Sequence, residues 1–261
     1  MIPKQHMVLA GGGVLLAILA FTGIYFYGKG YRFSGFHVTQ PATIRLERLP
    51  NDATFIFDGT ETFLARENGT AVLSVSARPH RIIFTREGYW PWEKQVTPQG
   101  GETIALSPFF MPRETKGVVV PPSDTLREKR IREVESRQLP TEEEPLLSFD
   151  RTVALFARDN TLVAKRPEGA DPSPFFCAGG QCASERTVIS FDAELRDVAF
   201  LPGRNDAALI AIQDGVFAIE LDNRGTQNFQ PVYRGIRPRI AFIEGTLYLR
   251  DSTSLFTLSL D

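Results

Sequence analysis

Between Lys4 and Lys29 the chain contains no Asp, Glu, Lys or Arg, and this stretch limits every fold open to it. Its apolar part runs from Met7 to about Tyr27. As a helix rising ~1.5 Å per residue, such a run crosses the ~30 Å hydrocarbon core of a bilayer. It is longer than the roughly 7–15 apolar residues of a secretory signal, and no A-x-A-like cleavage site follows it. The expected element is an uncleaved transmembrane signal anchor over 7–28. A short N-terminal tail over 1–6 precedes it and a juxtamembrane linker over 29–40 follows. Phe21, Tyr25, Phe26, Tyr27 and Tyr31 gather at one end, as in an interfacial aromatic belt. The competing reading is a buried core helix. Gly13 and Ala17 form a small-xxx-small pair, which makes a homo-oligomer a candidate state. Lys4 lies before the stretch, and Lys29 and Arg32 lie after it, so the positive-inside rule does not set the topology. Long domains translocate largely regardless of charge. The expected arrangement therefore has the N-terminus cytoplasmic and the C-terminal domains extracytoplasmic in a single-pass cell-membrane protein.

The remaining composition narrows the function classes. The 261 residues are 43% hydrophobic with a formal net charge of −2. Wholesale disorder and a strongly basic nucleic-acid binder are both excluded as defaults. His6, His37 and His80 are far apart, and there are two cysteines, which disfavours a metal centre. No G-x-S-x-G, G-x-x-x-x-G-K-[ST] or H-E-x-x-H motif occurs. Carboxylates are plentiful, but nothing singles out a pair for glycoside chemistry. Asp222-Asn223-Arg224-Gly225 reads as a polar turn rather than a calcium loop. No catalytic residue, cofactor or metal is expected.

Residues 41–112 alternate short apolar runs with turn signals. Thr43 to Glu47 has period two, Thr54 to Phe57 precedes Asp58-Gly59, and Ala71 to Val75 follows Asn68-Gly69. Arg81 to Thr85, Glu93 to Thr97 and Thr103 to Leu106 complete the set. Asp-Gly and Asn-Gly suit hairpins because both central residues take positive φ. Six or seven short strands in this span read as a small antiparallel β-sandwich.

These residues also resemble the PEGA domain family. Pro50-Asn51-Asp52-Ala53, then a strand ending in Asp58-Gly59, looks like the opening of that module. Gly88-Tyr89-Trp90-Pro91-Trp92-Glu93-Lys94 is similar to its Gly-Tyr-x-Pro-Trp-x-Lys segment, and Gly101-Glu102-Thr103 to its Gly-Glu-Thr. Asn51-Asp52 stand where the family has Glu-Gly. A literal Pro167-Glu168-Gly169-Ala170 has no strand and Asp-Gly turn after it. With the segment Tyr27 to Phe33, the chain resembles single-pass envelope proteins that pair a PEGA module with propeller-like β repeats. The resemblance implies a surface-facing, non-catalytic module. Tyr89, Trp90 and Trp92 have two readings: packing in the sandwich core, or an aromatic platform for a ligand. In an extended segment Trp90 and Trp92 share one face and Tyr89 the other.

Residues 113–145 carry nearly balanced charge and read as a linker with a short solvated helix. Thr125-Leu126-Arg127-Glu128 fits a capping box, and Glu128–Arg132 and Glu133–Arg137 are expected i,i+4 pairs.

Residues 146–261 are again β-patterned. Two apolar runs, Ala208 to Gln213 and Val216 to Leu221, flank Asp214-Gly215. Similar elements surround Asp159 and Asp251, 55 residues before and 37 residues after. A period near 40 is a propeller blade length, and two to three blades can be laid out around an insertion at 167–184. A closed propeller needs at least four, so an incomplete β-propeller-like or β-meander domain is expected. Its last strand, Leu255 to Leu260, is left as an exposed edge. In the insertion, Cys177 and Cys182 flank Gly179-Gly180. Outside the cytoplasm these two read as a disulfide, inside it as two thiols.

The expected fold is mainly β: a transmembrane helix, a PEGA-like sandwich, a charged helical spacer, then the repeat domain. The expected function is a membrane-anchored, non-enzymatic extracytoplasmic surface module for binding, adhesion or envelope organisation. A cell-wall glycan or surface protein is the candidate partner, and nucleic acid is not. A structural protein assembling through β edge strands is the alternative, and a carbohydrate-active enzyme a weaker one.

Overall fold

The structure is a computed structural model that describes residues 18, 20–26, 31–34, 37–178 and 180–260. Most of the expected anchor over 7–28 lies outside the described residues. Residues 20–26 are helical, with Phe21, Ile24 and Tyr25 exposed. Among the described residues, no helix is long and apolar enough to cross a membrane.

The rest of the chain is mainly β, in several largely antiparallel sheets. β1 (Arg32–Ser34) and β2 (His37–Thr39) form a hairpin. The N-terminal unit holds β3 (Ala42–Leu46), β4 (Thr54–Phe57), β5 (Thr60–Glu61), β6 (Ala71–Val75), β7 (His80–Thr85), β8 (Trp92–Val96) and β9 (Thr103–Leu106). β10 (Lys116–Val119) and helix α1 (Arg127–Glu135) follow. Next come β11 (Leu146–Leu147), β12 (Ala154–Arg158) and β13 (Thr161–Lys165), a 3₁₀ turn at Pro174–Phe176, β14 (Cys177–Ala178), β15 (Gln181–Cys182) and β16 (Glu185–Ser190). β17 (Asp197–Phe200), β18 (Ala207–Ile212), β19 (Gly215–Glu220), β20 (Phe229–Arg234), β21 (Arg239–Ile243), β22 (Thr246–Asp251) and β23 (Ser254–Ser259) complete the chain.

Two sheets build the N-terminal unit, β6-β3-β9 and β5-β4-β7-β8. Their inward residues, including Ile44, Leu46, Phe55, Ile82, Phe84 and Trp92, share one core. The sheets are not wholly antiparallel, as the sequence pattern had suggested: β9 pairs in parallel with β3. Period-two alternation marks a strand but not its direction, and the parallel pair joins strands far apart in sequence. Asp58-Gly59 and Asn68-Gly69 both have positive φ at both residues, the geometry of a type I′ turn.

The C-terminal part holds three four-stranded sheets, β11-β12-β13-β16, β17-β18-β19-β20 and β10-β23-β22-β21. β18 is buried on both faces, which explains its unbroken apolar run. Ala208 and Ile210 face the first of these sheets, whereas Ala207, Leu209 and Ala211 join a core shared by the third sheet and the N-terminal unit. Asp197 on β17 ties the second sheet to the third: it accepts from Arg239 Nε at 2.8 Å and from Ile240 N at 3.0 Å. Burial raises the Asp197 carboxyl above the usual range, against the pull of Arg239.

Four expectations for the linker are corrected. Lys116–Val119 is not linker but the outermost strand of the last sheet, covering the edge of β23 that was expected to be free. All four of its residues are exposed, so it lacks the alternation that reveals a half-buried strand. The helix is docked rather than solvated. Ile131 and Val134 are buried with Ala241 and Leu255, and Arg130 reaches Glu244 at 2.7 Å. Its start is not a capping box on Thr125. Leu126 is the N-cap with no side-chain cap bond, and Asp124 Oδ1 accepts from Leu126 N. The ion pairs of these acids are Arg127–Glu128, Lys129–Glu133, Arg130–Glu133 and Arg250–Glu135. Glu128–Arg132 and Glu133–Arg137 are not among the ion pairs of the described residues. Glu128 and Glu133 turn instead to other cations of the same helix, and Glu135 turns to Arg250, which the docking brings close.

Candidate functional site

β8 is one of the elements that join the two halves of the molecule. Its pleat sends Trp92, Lys94 and Val96 to one face, and all three are buried. Lys94 therefore occupies a core position, with no exposed surface. An isolated buried ammonium is costly, and this one is met by the end of β19 and the turn after it. Lys94 Nζ lies 3.1 Å from Glu220 Oε2 and 3.8 Å from Asp222 Oδ2, and it donates to the Asp222 carbonyl at 2.5 Å.

The partners are themselves held. Arg224 forks onto Asp222, with Nε to Oδ1 and Nη2 to Oδ2 both at 2.8 Å. Its Nη1 donates to the Cys177 carbonyl at 2.7 Å. Asn228 Nδ2 donates to Glu220 Oε2 at 2.8 Å and to the Glu93 carbonyl at 2.9 Å. Its Oδ1 accepts from Glu93 N at 2.9 Å. Gly225 has φ +68 and presses on the Gln95 carbonyl, so a Cβ there would collide with backbone. Nearby, Gln230 bridges Pro91 O and Met111 N, and Arg204 donates to Ser107 O and Pro108 O.

Burial pushes the Glu220 carboxyl from 4.5 up to about 7, against the attraction of Lys94 and the Asn228 hydrogen bond. Burial also raises Asp222, but Arg224 and Lys94 outweigh it and hold that carboxyl below its usual value. A carboxyl raised in the folded state contributes stability that is present below its unfolded pKa and lost as pH rises through the folded one. Between about pH 4.5 and about 7 this group is thus expected to withdraw up to about 3 kcal/mol. Urea midpoints of the wild type and Glu220→Gln, compared from pH 4 to 8, should diverge across that window. Parallel curves would contradict the assignment.

Around this junction lie three cavities that share walls. One of about 150 Å³ is lined by Glu47, Arg48, Ser107, Ser173, Glu220 and Asp222, among others. Two more, of about 320 and 500 Å³, meet at Gln99, Glu102, Ala178 and Arg224. The 3₁₀ turn Pro174–Phe176 lies against β9 there. Cys177 and Cys182 are bridged and close the β14–β15 hairpin beside this cleft. Among the described residues, no three His, Cys, Asp or Glu side chains are grouped to hold a metal ion.

The residues of the Gly-Tyr-Trp segment separate. Trp92 is fully buried, with its ring centroid 6.1 Å from that of Phe84. Trp90 is half-buried against the core, with Arg113 over its ring at 5.6 Å. Neither indole N–H has a hydrogen-bond partner. Tyr89 is half-exposed, with the Arg86 guanidinium 4.1 Å from its ring centre. Pro91 is exposed and Pro50 half-exposed. Gly88 takes φ +78, and its carbonyl accepts from Arg113 N. Ala53 is buried in the core. Asp58 accepts from Arg78, His80 and the Arg81 amide, while Gly59 completes the turn.

Sequence reasoning missed Lys94, Glu220, Asp222, Arg224 and Asn228 as a group. The available signal was Lys94 at period two between Trp92 and Val96, a charge on an inward face. Comparison with known proteins gives no match to a family model and none to a curated protein.

Proposed function

We propose that this chain is a membrane-anchored, non-enzymatic extracytoplasmic module for binding or envelope organisation. In this reading a PEGA-like unit is locked onto three propeller-like sheets and presented as one rigid body. The observation that carries it is the junction itself. Lys94, Glu220, Asp222 and Arg224 meet under cover in a place where a hinged pair of domains would have solvent. The charge-free stretch between Lys4 and Lys29 supports the anchor. The bridged Cys177–Cys182 pair supports an oxidising compartment.

A second reading, assembly through strand edges, is favoured by β10. Val118 and Val119 are exposed on this outermost strand, and such an edge is a template for further pairing.

The test is topological. After mild reduction, intact cells are treated with a membrane-impermeant maleimide, with lysed cells as control. Labelling at Cys177 and Cys182 in intact cells is the expected result. Labelling confined to lysed cells would put the β units inside and overturn the reading.

A further inference from the structure

A fourth cavity, an open groove of about 400 Å³, lies between the N-terminal unit, the loop from β17 to β18 and Leu260. Arg48, Arg86, Tyr89, Phe110, Pro50 and Pro202 are among its lining residues, and no acidic residue is. Tyr89 and Phe110 stand edge to face at 6.5 Å, giving an apolar wall.

Two arginines among the lining residues keep unfilled guanidinium donors. Arg48 makes no hydrogen bond among the described residues, and its nearest acid, Asp206, is 4.0 Å away. Asp206 is already held by Arg204 at 2.8 Å. Arg48 also sits at φ +57, a left-handed conformation that an arginine rarely adopts. Arg86 gives only its Nε to Asp52, at 2.8 Å. Its two terminal nitrogens have no hydrogen-bond partner among the described residues, and its plane is braced on Tyr89. Planar guanidinium forks match carboxylates in two-point contacts, and half-exposed rings and prolines suit the C–H face of a pyranose.

We propose that this groove binds an acidic saccharide unit, a pyranose bearing a carboxylate. Arg48 and Arg86 take the carboxylate, and the Tyr89–Phe110 wall takes the ring face. The proposal rests on the binding-module reading and gives it a ligand class. The cell-labelling result does not depend on it, so the two can fail separately.

The test uses the full chain in an uncharged detergent, titrated calorimetrically with trigalacturonate. Maltotriose and sodium sulfate serve as neutral-sugar and plain-anion controls. Trigalacturonate is expected to bind, maltotriose is not, and equimolar sulfate should not displace the acid sugar. Arg48→Gln and Arg86→Gln should each raise Kd at least tenfold. Thermal melts check folding. Arg48→Gln removes no hydrogen bond and decides the matter if Arg86→Gln melts early through loss of its Asp52 contact. Binding of trigalacturonate no tighter than maltotriose, full displacement by sulfate, or an unchanged Kd in Arg48→Gln would each overturn the proposal.

Discussion

Replacing Lys94 by Ala should lower the unfolding free energy by about 3–5 kcal/mol, the range for breaking a buried ion pair from one side. The loss comes less from attraction forgone than from what stays behind. Glu220 is left in the core with Asn228 as its remaining side-chain partner, and the Asp222 carbonyl loses the donor at 2.5 Å. Asp222 keeps the Arg224 fork, so the damage should centre on Glu220. Two consequences separate this account from a simple packing defect. Glu220 can shed its charge by taking a proton, so the penalty should be smaller at pH 5 than at pH 8. Lys94→Met combined with Glu220→Gln should recover most of the loss, because no unpaired charge is then buried. Urea unfolding of the three proteins at both pH values measures this. A Lys94→Ala cost below about 1 kcal/mol, or one independent of pH, would mean that the junction is wetter than its burial indicates.

Trp92→Ala should cost about 3–5 kcal/mol by opening a cavity beneath the second sheet of the N-terminal unit. Trp92 is fully buried beside Phe84, so little of that space can collapse. Its indole nitrogen has no hydrogen-bond partner. Trp92→Phe therefore loses area but no bond, and should cost no more than about 1–2 kcal/mol. Trp90→Ala, at a half-buried site, should fall well below Trp92→Ala. Near-equal effects at positions 90 and 92 would mean that the two indoles share one environment. The sequence allowed that reading, because both lie on the same face of an extended segment.

The strands of the N-terminal unit were legible because each writes its burial into its own residues. Thr43 to Leu46 and His80 to Thr85 alternate because one face meets the core and the other meets water. Asp58-Gly59 announces its turn because few residue pairs accept positive φ at both positions. The Ala208–Gln213 and Val216–Leu221 pair was legible for the opposite reason: sheets on both sides leave no polar face. β10 was illegible because Lys116, Gly117, Val118 and Val119 are all exposed, and exposure on both faces leaves no period. The helix was legible as a helix, but its docked face was not. Ile131 and Val134 make too narrow a stripe to announce a partner, and Arg130 is buried through its pairs with Glu133 and Glu244.

Local alternation, turn chemistry and the charge-free N-terminal stretch are properties of neighbouring residues, so the chain alone determines the β class, the hairpins and the candidate anchor. The junction is of another kind. Lys94 meets the Asp222 carbonyl across 128 residues and Asn228 meets Glu93 across 135. An inward lysine says only that some acid must cover it, and the sequence offers 31 acidic residues. Which of them does so depends on how two sheets stack, a choice made by the shape and volume of whole faces rather than by the pattern of any one strand.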